Sequence, residues 1–197
     1  MVLQHPLYTY FYMKITKSAA ELREYVRTLA GLTPMRADCV IEYTDGIDVD
    51  AMIDFRLRQW YIKLLAEGPR ELLAVHDMAA GATVTDAGAP ASGSVVRLPP
   101  TCVRAFELML ASWQHPVLIL GAEALGKMAE CQRNPFTRAT PHAPVAVMAP
   151  DGMSVFAWPP GSTVAALSGV SDTADGTFSM DEAALLLLEN FAKTLEY

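Results

Sequence analysis

Residues 18–30 open with Ser18-Ala-Ala-Glu21. In this arrangement a serine hydroxyl and a glutamate carboxylate reciprocally satisfy the first free amides of a helix. Leu22, Tyr25, Val26 and Leu29 follow at helical spacing and Gly31 ends the run, which predicts a helix over 18–30. A longer helix is predicted from Asp48 to Glu67, with Met52, Ile53, Leu57, Trp60, Tyr61, Leu64 and Leu65 spaced by threes and fours. Asp48 and Asp50 suit the positive end of its dipole, and Gly68-Pro69 stops it. Residues 38–43 read equally as short helix or strand, and 70–75 as a turn or short helix.

From residue 79 the pattern changes. Residues 79–94 are small and poor in core formers, which predicts a linker or mobile loop. Beyond it, strands are expected at 95–98, 117–120 and 164–167. The run 145–148, Pro150-Asp151-Gly152 and 154–158 carries a hairpin signature. Residues 102–112 alternate imperfectly and fit either a strand buried on both faces or a helix. Residues 121–131 read as a helical excursion. Ser179-Met-Asp-Glu182 has the form of a second capping box, opening a helix to about Leu195 whose face carries Leu185, Leu188, Ala192 and Leu195, widened by Leu186 and Phe191. At the other end, the aromatic segment 7–15 reads as an edge strand or a docking arm.

The fold class expected is α+β: a helical bundle with an inserted small antiparallel β-domain and a C-terminal helix. Its parts are an arm and helical region at 1–78, a flexible loop at 79–94, a small β-rich domain at 95–170, and a C-terminal helix at 171–197 packing on the N-terminal helices.

Composition narrows the function classes. The formal charge of −7 gives no basic footprint for direct phosphate binding, so specific nucleic-acid recognition is not expected. No stretch reaches the ~20 apolar residues that span a bilayer, and no leader peptide is evident. Three scattered cysteines, Cys39, Cys102 and Cys131, suggest a reducing compartment rather than a disulfide framework.

Candidate chemistry is sparse. The acidic group Asp45, Asp48, Asp50 and Asp54 fails as a calcium loop, because aligning Gly46 with the loop glycine puts Ile41, Tyr43 and Met52 at ligand positions. His5, His76, His115 and His142 lack metal-ligand spacing. The stretch 121–127, GAEALGK, lacks the glycine spacing and following hydroxyl of a phosphate loop. No catalytic residue, cofactor or metal is expected. The alternative is a small-molecule or protein binding module of a bacterial cytoplasm, or less favourably an enzyme using Cys102 or Cys131 as nucleophile. Arg133 and Arg138 flank Asn134-Pro135-Phe136; they read either as a solvated loop or as an interface loop pairing with a neighbour's carboxylates.

Three pieces carry a family resemblance: the helix ending LLAEGPRELL, then LPPTCVRAFELMLASWQHPV, then CQRNPFTRATPHAPVAVM before a hairpin. Leu98-Pro99, Arg104, Trp113, Pro116-Val117, Gln132, Asn134, Pro144 and Val145 fit the pattern, whereas Thr101 and Ala139 depart from it. Over roughly 18–170 the chain resembles head-to-tail connector adaptors of short-tailed bacteriophages and related prophages. The resemblance implies a non-enzymatic homo-oligomeric ring that binds a portal or other phage structural proteins while DNA only passes through. It implies assembly in the bacterial cytoplasm and residence in the virion, with no membrane contact. Interface residues expected on this reading are Tyr8, Tyr10, Phe11, Tyr12, Arg133, Arg138, Phe191 and Leu195.

Overall fold

The computed structural model describes residues 13–31, 48–85, 94–156, 162–172 and 176–193. In chain order they form β1 (Lys14–Ser18), α1 (Ala19–Leu29), α2 (Val49–Glu67), β2 (His76–Asp77), β3 (Thr83–Thr85), β4 (Ser94–Arg97), β5 (Cys102–Leu110), β6 (Val117–Leu120), α3 (Leu125–Cys131), β7 (Val145–Ala149), β8 (Gly152–Phe156), β9 (Val164–Ser171), β10 (Thr177–Asp181) and α4 (Leu185–Lys193). The chain divides into two units, one of residues 1–74 with 173–197 and one of residues 75–172.

Among the described residues, the first unit is built on the three helices α1, α2 and α4 and a two-stranded antiparallel sheet, β1–β10. Ser18 caps α1 as its sequence predicts: its Oγ accepts from the Glu21 amide, while Glu21 Oε2 accepts from the Ser18 amide at 2.8 Å. Leu22 and Val26 of α1, Ile53, Leu57, Tyr61, Leu64 and Leu65 of α2, and Leu188 and Ala192 of α4 are buried. Arg23 and Arg27, one turn apart, meet Asp54 at 2.7 Å and Asp50 at 3.2 Å, so two rungs of charge align α1 with α2. A lone pair of strands is marginal in water. Here Tyr61 supports it: its hydroxyl donates to Ser179 O and accepts from Ser179 N, both at 3.0 Å, and its ring packs edge-on against Phe178 at 4.9 Å.

The second unit is one eight-stranded mixed sheet in the order β2-β9-β5-β6-β7-β8-β4-β3. All neighbours are antiparallel except β6 and β7. Leu167 of β9 and Val96 of β4 share one core with Leu108, Leu110, Trp113, Met153 and Val155. In a flat sheet the five strand spacings between β9 and β4 would hold them about 24 Å apart, so the sheet must curl onto itself. β5 supplies much of the bend. Its register with β9 shifts at Cys102/Arg104, Ala105/Glu107 and Met109/Leu110, each a bulge-like irregularity that adds local twist. Two glycines are required by geometry. Gly152 turns the β7–β8 hairpin at φ +136°, and a Cβ on Gly169 would fall 2.6 Å from the Arg104 carbonyl oxygen where β9 crosses β5.

The expected helical bundle with a small β insert is therefore corrected. Strands dominate, the curled sheet is the principal β structure, and the described helices number four. Three things misdirected the expectation. The bulges of β5 erase the two-residue alternation that marks a strand. β2 and β3 are only two and three residues long, and β3 falls in the stretch read as a loop. Ser179-Met-Asp-Glu182 is also not a capping box: Ser179 lies within β10, and Asp181 caps the final helical segment by accepting from the Ala183 amide at 3.0 Å.

Candidate interaction loop

Parallel strands cannot be joined by a tight turn and need a crossover. Residues 121–144 provide it between β6 and β7: a short 3-10 turn, α3, and an irregular loop from Gln132 to Ala139. The loop is irregular but tied at every corner. Gln132 closes its base, donating through Nε2 to Met128 O at 2.9 Å and accepting through Oε1 from the Ala139 amide at 2.9 Å. Asn134 makes an Asx turn, its Oδ1 accepting from the Phe136 amide at 2.9 Å. Its carbonyl accepts from the Thr137 and Arg138 amides, and the Thr137 hydroxyl donates to Cys131 O at 3.0 Å. Pro135 fixes one further backbone angle.

What this scaffold presents is Phe136, 97% exposed, between the exposed Arg133 and Arg138. Burying such a side chain is worth about 1.5–3 kcal/mol, and that gain is forgone in the single chain. Among the described residues neither arginine meets a carboxylate. From Lys127 to His142 three cationic side chains stand against one carboxylate, a basic patch on a chain of net charge −7. An apolar side chain on a hydrogen-bonded loop, with exposed arginines three residues before and two after it, has the composition of a docking anchor for a hydrophobic seat with nearby carboxylates.

Arg133 and Arg138 thus fall together at this loop, whereas Phe191 belongs to the first unit, half-buried on α4 with its ring 6.4 Å from Trp60. Tyr8, Tyr10, Phe11, Tyr12 and Leu195 lie outside the described residues. In the sequence Phe136 stands only as part of the Asn134-Pro135-Phe136 stretch between the two arginines; the side-chain bonds of Gln132 and Asn134 that shape the loop around it are announced by no local pattern.

Several of the remaining chemical candidates have structural partners, while His5, Cys39 and Asp45 lie outside the described residues. Asp48 caps α2, and Asp50 and Asp54 face arginines of α1. No group of three metal-ligating side chains occurs among the described residues. Cys102 faces the sheet core, and burial pushes its thiol up, away from the reactive thiolate. His76 Nε2 lies 3.1 Å from Ser171 Oγ, and Trp113 is a core residue. Asp77 Oδ1 accepts from the Leu167 amide at 2.9 Å and the Ala79 amide at 3.0 Å, and these bonds hold its carboxyl below the usual range. Thr85, Val95, Arg97 and Asp151 line an open hollow of about 370 Å³ without enclosing it. Among the described residues, no helix is long and apolar enough to cross a membrane.

No protein-family model matches this chain, and no curated protein or solved structure matches it either.

Proposed function

We propose that the protein is a non-enzymatic structural subunit that works by assembling, and that its setting is the head–tail connector of a phage or prophage. There it would form a ring with copies of itself, bind a portal or another virion protein, and let DNA pass. The observation that carries the assembling role is the fixed loop presenting Phe136 at 97% exposure between two arginines. A monomeric protein gains nothing from holding a phenylalanine rigidly in water, whereas a docking surface gains its anchor without an ordering cost on association. The connector setting is supported by the sequence resemblance, whose Gln132 and Asn134 are the two side chains that build this loop. The net charge of −7 suits a channel that does not retain DNA.

The test is the native mass of the full chain, by light scattering on a sizing column over a wide concentration range, with negative-stain imaging of the largest species. A discrete ring-sized oligomer with a central opening is expected. A single-chain mass at every concentration would overturn the reading.

A further inference from the structure

We infer that the 132–139 loop is the projecting half of a head-to-tail contact between copies of this chain, seated on the outer face of α4 of the next copy. The inference rests on the assembling role and specifies how two copies meet.

Charge first excludes a two-fold contact through the loop. Pairing two loops would bring four guanidinium groups, Arg133 and Arg138 of each copy, around a pair of phenylalanines. Like charges placed face to face across an interface repel and suppress such a pairing. The loop must therefore meet a different surface, and a heterologous contact of that kind closes into a ring or continues as a filament.

Apart from Phe136, the most exposed large apolar side chains among the described residues are Leu118, Phe55 and Leu186, at 66%, 64% and 64%, and the charges around them separate the three surfaces. On α2, Phe55 and Ile62 are 64% and 44% exposed, but Arg58, three residues after the first and four before the second, sits between them on that face and would repel the loop, while the carboxylate of Glu67 lies five residues beyond Ile62, at the end of the helix. On β6, Leu118 and Leu120 are 66% and 38% exposed. The carboxylate next to Leu118 in the register is Glu107, already engaged by the Ser168 hydroxyl at 3.4 Å. On α4, Leu186 is 64% exposed, with the adjacent Leu187 at 38%. Glu182, on the 3-10 turn that leads into α4, precedes Leu186 by four residues, and Glu189 follows it by three on the helix itself; both are exposed, so Leu186 has a carboxylate before and after it. Lys193 lies one turn further on. Among the described residues Glu182 and Glu189 form no ion pair. This is the complement of arginine–phenylalanine–arginine: an apolar centre with charges of opposite sign on its rim.

The experiment compares four full-length variants with the parent chain by concentration-dependent light scattering, with circular dichroism and thermal midpoints to establish folding. The variants are Phe136→Ala, the pair Arg133→Glu with Arg138→Glu, the pair Glu182→Arg with Glu189→Arg, and the four charge changes together. Phe136→Ala is expected to raise the concentration of half-assembly about tenfold or more. Each charge-reversed pair is expected to weaken assembly, and the four-fold variant to regain it, because the reversed charges again oppose each other between copies. Unchanged assembly of Phe136→Ala, or a folded four-fold variant that remains apart, overturns the inference while leaving the assembling role intact. A parent chain that stays single at every concentration overturns both.

Discussion

Tyr61 and Phe136 are aromatic side chains set by hydrogen bonds, and they are put to opposite uses. Tyr61 is 2% exposed, and its hydroxyl pairs with both backbone groups of Ser179. Phe136 is 97% exposed, and the hydrogen bonds that fix it run through its own backbone amide and through its neighbours, none through its ring. The first arrangement converts polar satisfaction into stability of a small sheet. The second spends the same kind of bonding on holding an apolar group where it stabilises nothing within the single chain. What an aromatic side chain contributes to the fold therefore depends on where its scaffold aims it.

The contrast can be broken from the Tyr61 side with the largest effect. Tyr61→Ala should lower unfolding free energy by about 3–5 kcal/mol, since it removes a buried ring and leaves a cavity beside Phe178. Tyr61→Phe should cost less, about 1–3 kcal/mol, because it strands the Ser179 amide and carbonyl without a cavity. Denaturant titration of each variant measures both, and equal losses would mean that the hydroxyl contributes nothing.

Asp77 provides an intermediate test. Its carboxyl titrates below the ordinary range in the folded chain, so its contribution is complete above the unfolded value of about 3.9 and drains away as the pH falls through the lower folded value. Asp77→Asn should cost roughly 1 kcal/mol at neutral pH. It should also flatten the acid limb of a stability–pH curve; a parallel curve displaced downward at all pH values would count against the carboxylate.

Smaller effects are expected at the loop. Gln132→Ala should destabilise by about 1 kcal/mol or less, yet speed hydrogen exchange of the Ala139 amide by breaking the staple at the loop base. Unchanged exchange at that amide would show that the backbone holds the loop unaided. Phe136→Ala should leave the thermal midpoint where it was, within about 0.5 kcal/mol of the parent stability. A clear loss of stability there would place the ring in the fold after all.

How much of this was written in the chain differs between the units. α1 was legible because Ser18 and Glu21 do locally what a capping box requires, and α2 because its apolar residues recur at helical spacing up to Gly68. Asp151-Gly152 announced the β7–β8 hairpin, and Gly152 adopts the positive φ that such a turn demands. The curled sheet was not legible, because it depends on pairings between distant segments. β9 joins β2 to β5, strands separated from it by most of the unit, and β5 achieves its pairing only by bulging. β10 was obscured because Ser179 and Glu182 carry a helix-start pattern, while pairing with β1, which is far away in sequence, makes the segment a strand. At the loop, the two arginines could be singled out from sequence, but which side chain they frame could not.

The crossover has a consequence for how this protein can change over time. From Gly121 to Ala143 not one residue is buried, although the segment joins adjacent strands of the sheet. Substitutions there open no cavity and strand no core group. Sequence change can accordingly accumulate along this segment while the sheet that carries it stays under a separate, stricter constraint.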